Sequence, residues 1–279
     1  MSSTRSRVLP RGWYPTSANN CRERIQEFIK GFQAPVGAWV GGVVPHAGWE
    51  FSGKGAARVF ATLAGSMNPD RIVLYGGHLS GTAKPIIYTE DYWETPLGLI
   101  SMDSSSVSEL VREGLVVPAP ASYSDNTVEV ILPFAKYFFP DTSLIAIHSP
   151  ASEKAVDLGQ RLAEFLVARN VRTLYVGSAD LTHYGPNYGF VPMGTGPKAV
   201  SWVKEYNDKS LIGKALVMDA LGVLNDARSK QNTCSPGPVA SVIASTSMGG
   251  AVKGTLLEYY TSYDVVPGSS FVGYASIVY

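Results

Sequence analysis

Leu174-Tyr175-Val176-Gly177-Ser178-Ala179-Asp180-Leu181-Thr182-His183 is an apolar run of strand length that ends in small residues, a carboxylate and an imidazole. A short apolar run bounded in this way reads as a strand buried on both faces. The pattern recurs. Val43-Val44-Pro45-His46, Val73-Leu74-Tyr75-Gly76-Gly77-His78 and Leu144-Ile145-Ala146-Ile147-His148 each place a histidine just past such a run, which accounts for all four histidines of the chain. In an open α/β sheet, ligands bind in the crevice outside the carboxyl ends of the strands. Side chains far apart in sequence are therefore expected to meet at one sheet edge, around a metal or a substrate.

Helical periodicity fills the intervals between these runs. Residues 19–32 carry Ile25, Phe28, Ile29 and Phe32 at helical spacing, with Asn19 or Asn20 able to cap them. Further helices are predicted at about 53–63, 104–113, 127–138, 153–169, 199–212, 214–227 and 236–247, with Pro133 arguing against continuity in the fourth of these eight helices. Strands are predicted at 38–44, 72–75, 86–89, 143–148, 171–177, 252–260 and 271–279, and 92–98 reads as irregular. Strand and helix alternate, and the last two strands can pair antiparallel. The expected fold is α/β: a single layered domain over 1–279, with a central mostly parallel or mixed sheet flanked by helices.

Composition narrows the partners. The chain has 279 residues, 45% of them hydrophobic, with 23 basic and 23 acidic side chains. That balance argues against a nucleic-acid or membrane-surface partner recognised through bulk charge; the expected partner is a small-molecule substrate. No apolar stretch approaches the roughly 18 residues of a membrane span, and the first ten residues lack the apolar core of a secretory signal. The two cysteines, Cys21 and Cys234, form no CxxC, and a disulfide between them is disfavoured. A cytoplasmic setting is expected.

Several short segments carry chemistry. Pro45-His46-Ala47-Gly48-Trp49 and Gly76-Gly77-His78 surround an imidazole with small residues, either to seat a metal ligand or general base or simply to close a turn. Two imidazoles would leave a metal short of at least one further protein ligand. Asp180 lies three residues before His183, an arrangement that suits proton transfer and equally a turn or cap. Cys234 precedes the helix opened by Ser235-Pro236-Gly237, where the helix dipole favours thiolate; the alternative is a small buried apolar side chain. His148 reads by itself as structural. Glu129 points toward the pocket or bonds one of its residues, Cys21 is inert, and Trp13, Trp49 and Trp93 are core or pocket wall.

Taken together, these segments resemble the MEMO family, which occurs as protein B of the AmmeMemoRadiSam set. The likeness runs from Trp13-Tyr14-Pro15 through Pro45-His46-Ala47-Gly48, Phe51-Ser52-Gly53, Thr95-Pro96-Leu97-Gly98, Glu129 with Leu132-Pro133-Phe134, Asp180 with His183-Tyr184-Gly185, and Thr233-Cys234. It ends in Leu256-Leu257 to Ser262 and Val272-Gly273-Tyr274-Ala275. The resemblance implies a fold similar to class III extradiol dioxygenases. It also implies metal ligands His46, His78 and Cys234, with Asp180 and His183 as the catalytic pair. Iron(II) is the implied cofactor, copper or zinc the alternatives, and a radical-SAM or AMMECR-type protein an implied partner.

The chain departs from that pattern in two places. Asp125-Asn126-Thr127 stands where the family has Glu-His-Ser, and His148-Ser149 stands at an apolar strand end followed by glycine. One imidazole is lost and another gained, so His148 is expected to enter the pocket beside Asn126, Glu129 and Trp49. The expected function is a metal-dependent, dioxygenase-like oxidoreductase. A non-enzymatic metal- or phosphopeptide-binding protein and a metal-free Cys/His hydrolase or transferase are the alternatives.

Overall fold

The apolar runs occupy the middle of a nine-stranded sheet in a computed structural model that describes residues 2–279. The strands are β1 (Thr4–Arg5), β2 (Gly41–Val44), β3 (Arg71–Leu79), β4 (Ile86–Ile87), β5 (Tyr92–Thr95) and β6 (Gly98–Ser101) in the first part of the chain. They continue as β7 (Val117–Pro118), β8 (Ser143–Pro150), β9 (Thr173–Ser178), β10 (His183–Tyr184), β11 (Thr255–Thr261) and β12 (Phe271–Val278). The large sheet runs β10-β12-β2-β9-β3-β8-β4-β7, with β11 paired to β12. β2, β9, β3 and β8 are mutually parallel, whereas β12 is antiparallel to β2, β10 and β11, so the sheet is mixed.

Helices cover both faces. They are α1 (Ala18–Ile29), α2 (Trp49–Ala64), α3 (Ser104–Arg112), α4 (Asn126–Glu129), α5 (Leu132–Phe138) and α6 (Lys154–Val167), then α7 (Pro197–Trp202), α8 (Asp208–Leu216), α9 (Ala220–Lys230), α10 (Pro236–Met248) and α11 (Ser262–Val265). Side chains alternate across a strand, and β3 shows the result. Ile72 and Leu74 join the core packed by α1, α2 and α5, while Val73 and Tyr75 join the core packed by α6, α8, α9 and α10. β8 divides in the same way, with Leu144 and Ala146 on one side and Ile145 and Ile147 on the other. Both faces of the central strands are therefore dry, as their unbroken hydrophobicity requires.

Four local expectations are corrected. Residues 92–101 are a β-hairpin rather than irregular: Pro96 sits in the turn, Gly98 takes φ +108°, and the Thr95 hydroxyl donates to Gly98 O at 2.7 Å. The helix expected at 127–138 is two helices, because Pro133 supplies no N–H and fits only in the first turn of α5. The break expected near Gly213 falls at 217–219, where Met218 is left-handed and Asp219 caps α9 by accepting from Gly222 N at 2.8 Å. β3 and β8 run past their expected ends, so His78 and His148 lie inside strands rather than beyond them. Among the described residues no helix is long and apolar enough to cross a membrane.

Candidate functional site

The carboxyl ends of β2, β9 and β3 deliver His46, Asp180 and His78 to one edge of the sheet, and the turn before α10 brings Cys234 to meet them. Each of His46, His78 and Cys234 offers a donor atom, and these three atoms lie within 4.8 Å of one another. Cys234 Sγ is 3.2 Å from His46 Nε2, and the two imidazole rings meet edge to face at 5.3 Å between centroids.

The hydrogen bonds behind these rings settle their tautomers. The Ser178 hydroxyl donates its one proton to Thr127 O at 2.7 Å, so it can only accept from His46 Nδ1, 3.0 Å away. His46 Nδ1 therefore carries hydrogen, and Nε2 faces the sulfur. Asp125 Oδ2 lies 2.9 Å from His78 Nδ1, which places hydrogen on Nδ1 there too and leaves Nε2 as the donor atom. Asp125 is itself held by the amide of Thr127 at 2.9 Å and its hydroxyl at 2.5 Å, and Thr127 Oγ1 accepts from Gly77 N at 2.7 Å.

Asp180 is a buried hub. Its Oδ1 accepts from His46 N at 2.7 Å, its carbonyl accepts from Thr233 Oγ1 at 2.6 Å and Cys234 N at 3.2 Å, and its Oδ2 lies 3.9 Å from His46 Nε2 and 4.0 Å from His183 Nε2. The bridge between Leu181 and Thr233 locks the two loops together. His183 Nε2 is buried without a hydrogen-bond partner, a donor or acceptor left uncommitted at the edge of the cluster.

Charge follows from this crowding. Burial alone would depress His46, but Asp180 and the Cys234 sulfur outweigh it and hold its pKa up at about 9. The Asp125 hydrogen bond, with help from Cys234, raises His78 to about 10. Burial would raise the Cys234 thiol, yet His46, His183 and His78 bring it well below the ordinary range. Burial raises Asp180. Without a metal, this crowding favours the thiolate of Cys234 and the charged forms of His46 and His78.

The cluster opens into a cavity of ≈ 510 Å³ whose wall includes His46, His78, Asn126, Asp180 and His183, with Trp13, Phe51, Tyr188, Val266 and Tyr274 around them. Asn126 reaches it and donates from Nδ2 to His46 O at 3.1 Å. Three expected pocket residues lie elsewhere. Trp49 stacks on Phe134 at 4.2 Å, donates to Val130 O and belongs to the core. Glu129 is buried and accepts from Val8 N, Leu9 N and Tyr14 Oη, so it anchors the N-terminal segment that carries Trp13.

His148 is the third, and it corrects the expectation that a new imidazole replaces the one absent at position 126. β8 continues beyond it and pairs it with Gly76, which sets its ring under the backbone of Gly77 rather than in the cavity. Fully buried, it bonds the hydroxyls of Tyr123 at 2.8 Å and Tyr88 at 3.3 Å. Burial pushes its pKa down to about 4, so it is neutral. Cys21 is buried in α1 with its thiol pushed up to about 12 by burial, and both cysteines are free.

Sequence reasoning did not assign roles to Ser178, Thr127 or Asp125. Ser178 and Thr127 carry no signal beyond their polarity. Asp125 carried one, since an aspartate just before the expected helix start at Thr127 reads as an N-cap, and it does cap α4 by accepting from Thr127 N.

Known proteins resemble this chain over most of its length. A family profile described as Memo-like protein matches residues 7–278. A MEMO1 family protein of Thermococcus onnurineus is 33% identical over 250 residues, covering 85% of this chain and 86% of that protein. Its counterpart in Pyrococcus abyssi is 32% identical and covers 92% of each chain. One from Methanosarcina acetivorans is 29% identical over 95% of each. Among solved structures, the uncharacterized protein JW3007 of Escherichia coli K12 superposes with a TM-score of 0.51 at 14% identity, over 79% of this chain and 91% of that one, a likeness of fold.

Proposed function

The chain belongs to the Memo-like protein family, and from that premise we propose that it is a metal-dependent oxidoreductase of dioxygenase-like type. Its centre is held by His46, His78 and Cys234. One observation carries the reading: both imidazoles have their Nδ1 atoms committed to Ser178 and Asp125, so both Nε2 atoms are turned to the same sulfur. Outer hydrogen bonds of this kind orient metal-ligating histidines. A mixed imidazole–thiolate set suits iron, copper or zinc, and iron(II) is the first choice on the family likeness. Three protein donors also leave coordination positions for a substrate.

Iron(II) in this set would supply a Lewis acid and a one-electron redox partner. The chain's own residues do the rest. Ser178 and Asp125 hold the donor tautomers, Asp180 fixes the backbone of residue 46 and the loop of residue 234, and the aromatic wall limits water. His183, with its uncommitted Nε2 4.0 Å from Asp180, receives or returns a proton at the substrate. Elemental analysis of protein purified without oxygen tests the centre: about one metal per chain is expected, lost in Cys234→Ala and in His78→Ala. Metal-free protein from cells grown with iron, copper and zinc would end the reading.

The 3.2 Å approach of Cys234 Sγ to His46 Nε2 supports a second reading, a metal-free thiolate nucleophile with an imidazole partner. In that case iodoacetamide alkylates Cys234 in untreated protein and turnover survives strong chelators. If the metal reading holds, chelation must come before alkylation.

A further inference from the structure

Behind the loop that leads to His183 lies a carboxylate that the proposed chemistry does not use. Asp208, the first residue of α8, is fully buried, and burial pushes its pKa up to about 6. Its Oδ1 accepts from Thr182 N at 3.0 Å and from the Thr182 hydroxyl, and its Oδ2 accepts from Tyr259 Oη at 2.8 Å. Taking a carboxylate out of water is costly unless donors meet it, and two of these three come from the residue before His183. The fold makes room for this approach twice. The π-helical turn at 203–207 delivers Asp208, and a Cβ at Gly273 would strike its Oδ2, so β12 carries glycine there. Single π-turns of this kind often occur at functional sites.

We infer that Asp208 is a positioning residue for His183: it clamps Thr182 from outside the cavity and so turns the next imidazole into it. This rests on the reading of His183 as the proton carrier. β10, which begins at His183, is two residues long, ends the sheet, and among the described residues pairs there with β12 alone. So short a strand holds its side chains weakly by itself. Successive side chains of an extended segment point to opposite sides; Thr182 is turned back to Asp208, and His183 lines the cavity. The Thr182 hydroxyl gives its one proton to Asp208 and accepts from Asn207 Nδ2 at 2.9 Å. Asn207 is anchored in turn: its Nδ2 also donates to Lys230 O at 3.3 Å, and its carbonyl accepts from Asn232 Nδ2 at 2.9 Å. The backbone completes the clamp, with Leu181 N donating to Gly273 O at 2.8 Å and Gly273 N to Thr182 O at 3.0 Å. His183 Nε2 has no hydrogen-bond partner, so the direction of the ring falls to this frame and to Tyr188, packed 4.9 Å away.

The test is the NMR signal of the His183 ring in protein labelled with carbon-13 histidine and stripped with a chelator, so that the outcome does not depend on a metal. The line is assigned by its loss in His183→Gln. Asp208→Ala and Thr182→Val each open the clamp, and the His183 line is expected to split or to widen at least about twofold, with those of His46, His78 and His148 unmoved. Asp208→Asn keeps the acceptor without its charge and should give a smaller change, and Thr182→Ser none. Tyr259→Phe breaks the bond on the far side of the carboxylate and should lower stability without moving the His183 line. A His183 line unmoved in Thr182→Val overturns the inference, even where Asp208→Ala does not fold. So does movement of all four lines together, or a response to Tyr259→Phe as large as that to Thr182→Val. Metal content is scored separately on untreated protein, so a metal-free chain that passes this test sinks the metal reading alone.

Discussion

A Cβ on Gly77 would lie 2.6 Å from Cβ of His148 and 2.7 Å from its ring. The two residues share one space, and the residue after Gly77 is His78. The ladder between β3 and β8 slips between Gly76 and Leu79, so the chain bulges over the buried imidazole, and Gly77 makes the bulge with φ +98°. His148 is thus the floor on which His78 is raised toward Cys234.

Gly77→Ala should therefore damage both stability and the site. Overpacking costs about 1–3 kcal/mol, and a left-handed backbone adds about 1–2 kcal/mol for a residue with Cβ. Urea unfolding should report the loss, and metal content should fall with it. A variant of native stability and full metal content would show that the bulge is not constrained in this way.

Stability should weaken in mild acid because of His148. Folded, it stays neutral down to about pH 4, whereas the unfolded chain protonates it near the ordinary 6.5. As pH falls from 6.5 to 4 the unfolded state gains a proton that the folded state refuses, so stability complete above 6.5 is progressively lost. The difference amounts to on the order of 3 kcal/mol. Unfolding free energies of wild type and His148→Gln between pH 7 and 4.5 should diverge in slope, with the variant flatter. Parallel slopes would assign the acid sensitivity to other groups.

Ser178→Ala and Asp125→Asn should lower metal affinity by about 10–100-fold each while leaving every donor atom present. Ser178→Ala removes the acceptor that fixes hydrogen on His46 Nδ1, and Asp125→Asn weakens the bond that orients His78. Competition with a chromophoric chelator reads this directly. Unchanged affinity in both variants would mean that the outer hydrogen bonds do not tune the donors.

Glu129→Leu should free the N-terminal segment. One carboxylate holds Val8 N, Leu9 N and Tyr14 Oη, and leaving a buried donor unpaired costs about 1–3 kcal/mol per group. Trypsin should cut at Arg11 many times faster than in wild type, with Glu129→Gln intermediate. Equal resistance to trypsin would place the anchor elsewhere.

The meeting of His46, His78 and Asp180 was legible because strand hydrophobicity is a strong signal and parallel strands end on one edge, whereas Cys234, which follows no strand, was placed with them by the family likeness. The placement of His148 was not. Whether a residue lies within a strand or beyond its end decides whether its side chain stays on a sheet face or reaches the crevice, and apolar runs do not mark that boundary when Ser149 and Pro150 extend the ladder. Trp49 misled for a different reason: both Trp13 and Trp49 sit beside the histidine loop, and only packing against Phe134 separates core from wall. The π-helical turn at 203–207, which brings buried Asn207 and Asp208 to Thr182, leaves no trace in a periodicity of 3.6.

Trp13 belongs to a stretch of chain tied down by Glu129 on one side and by the bond from Trp49 N to Trp13 O on the other. Neither tie involves its indole. The side chain at residue 13 can therefore be exchanged without loosening the fastening, much as a tool takes a new bit in the same chuck. A substitution at this one outlying position would reshape the cavity mouth with the reacting groups left unaltered.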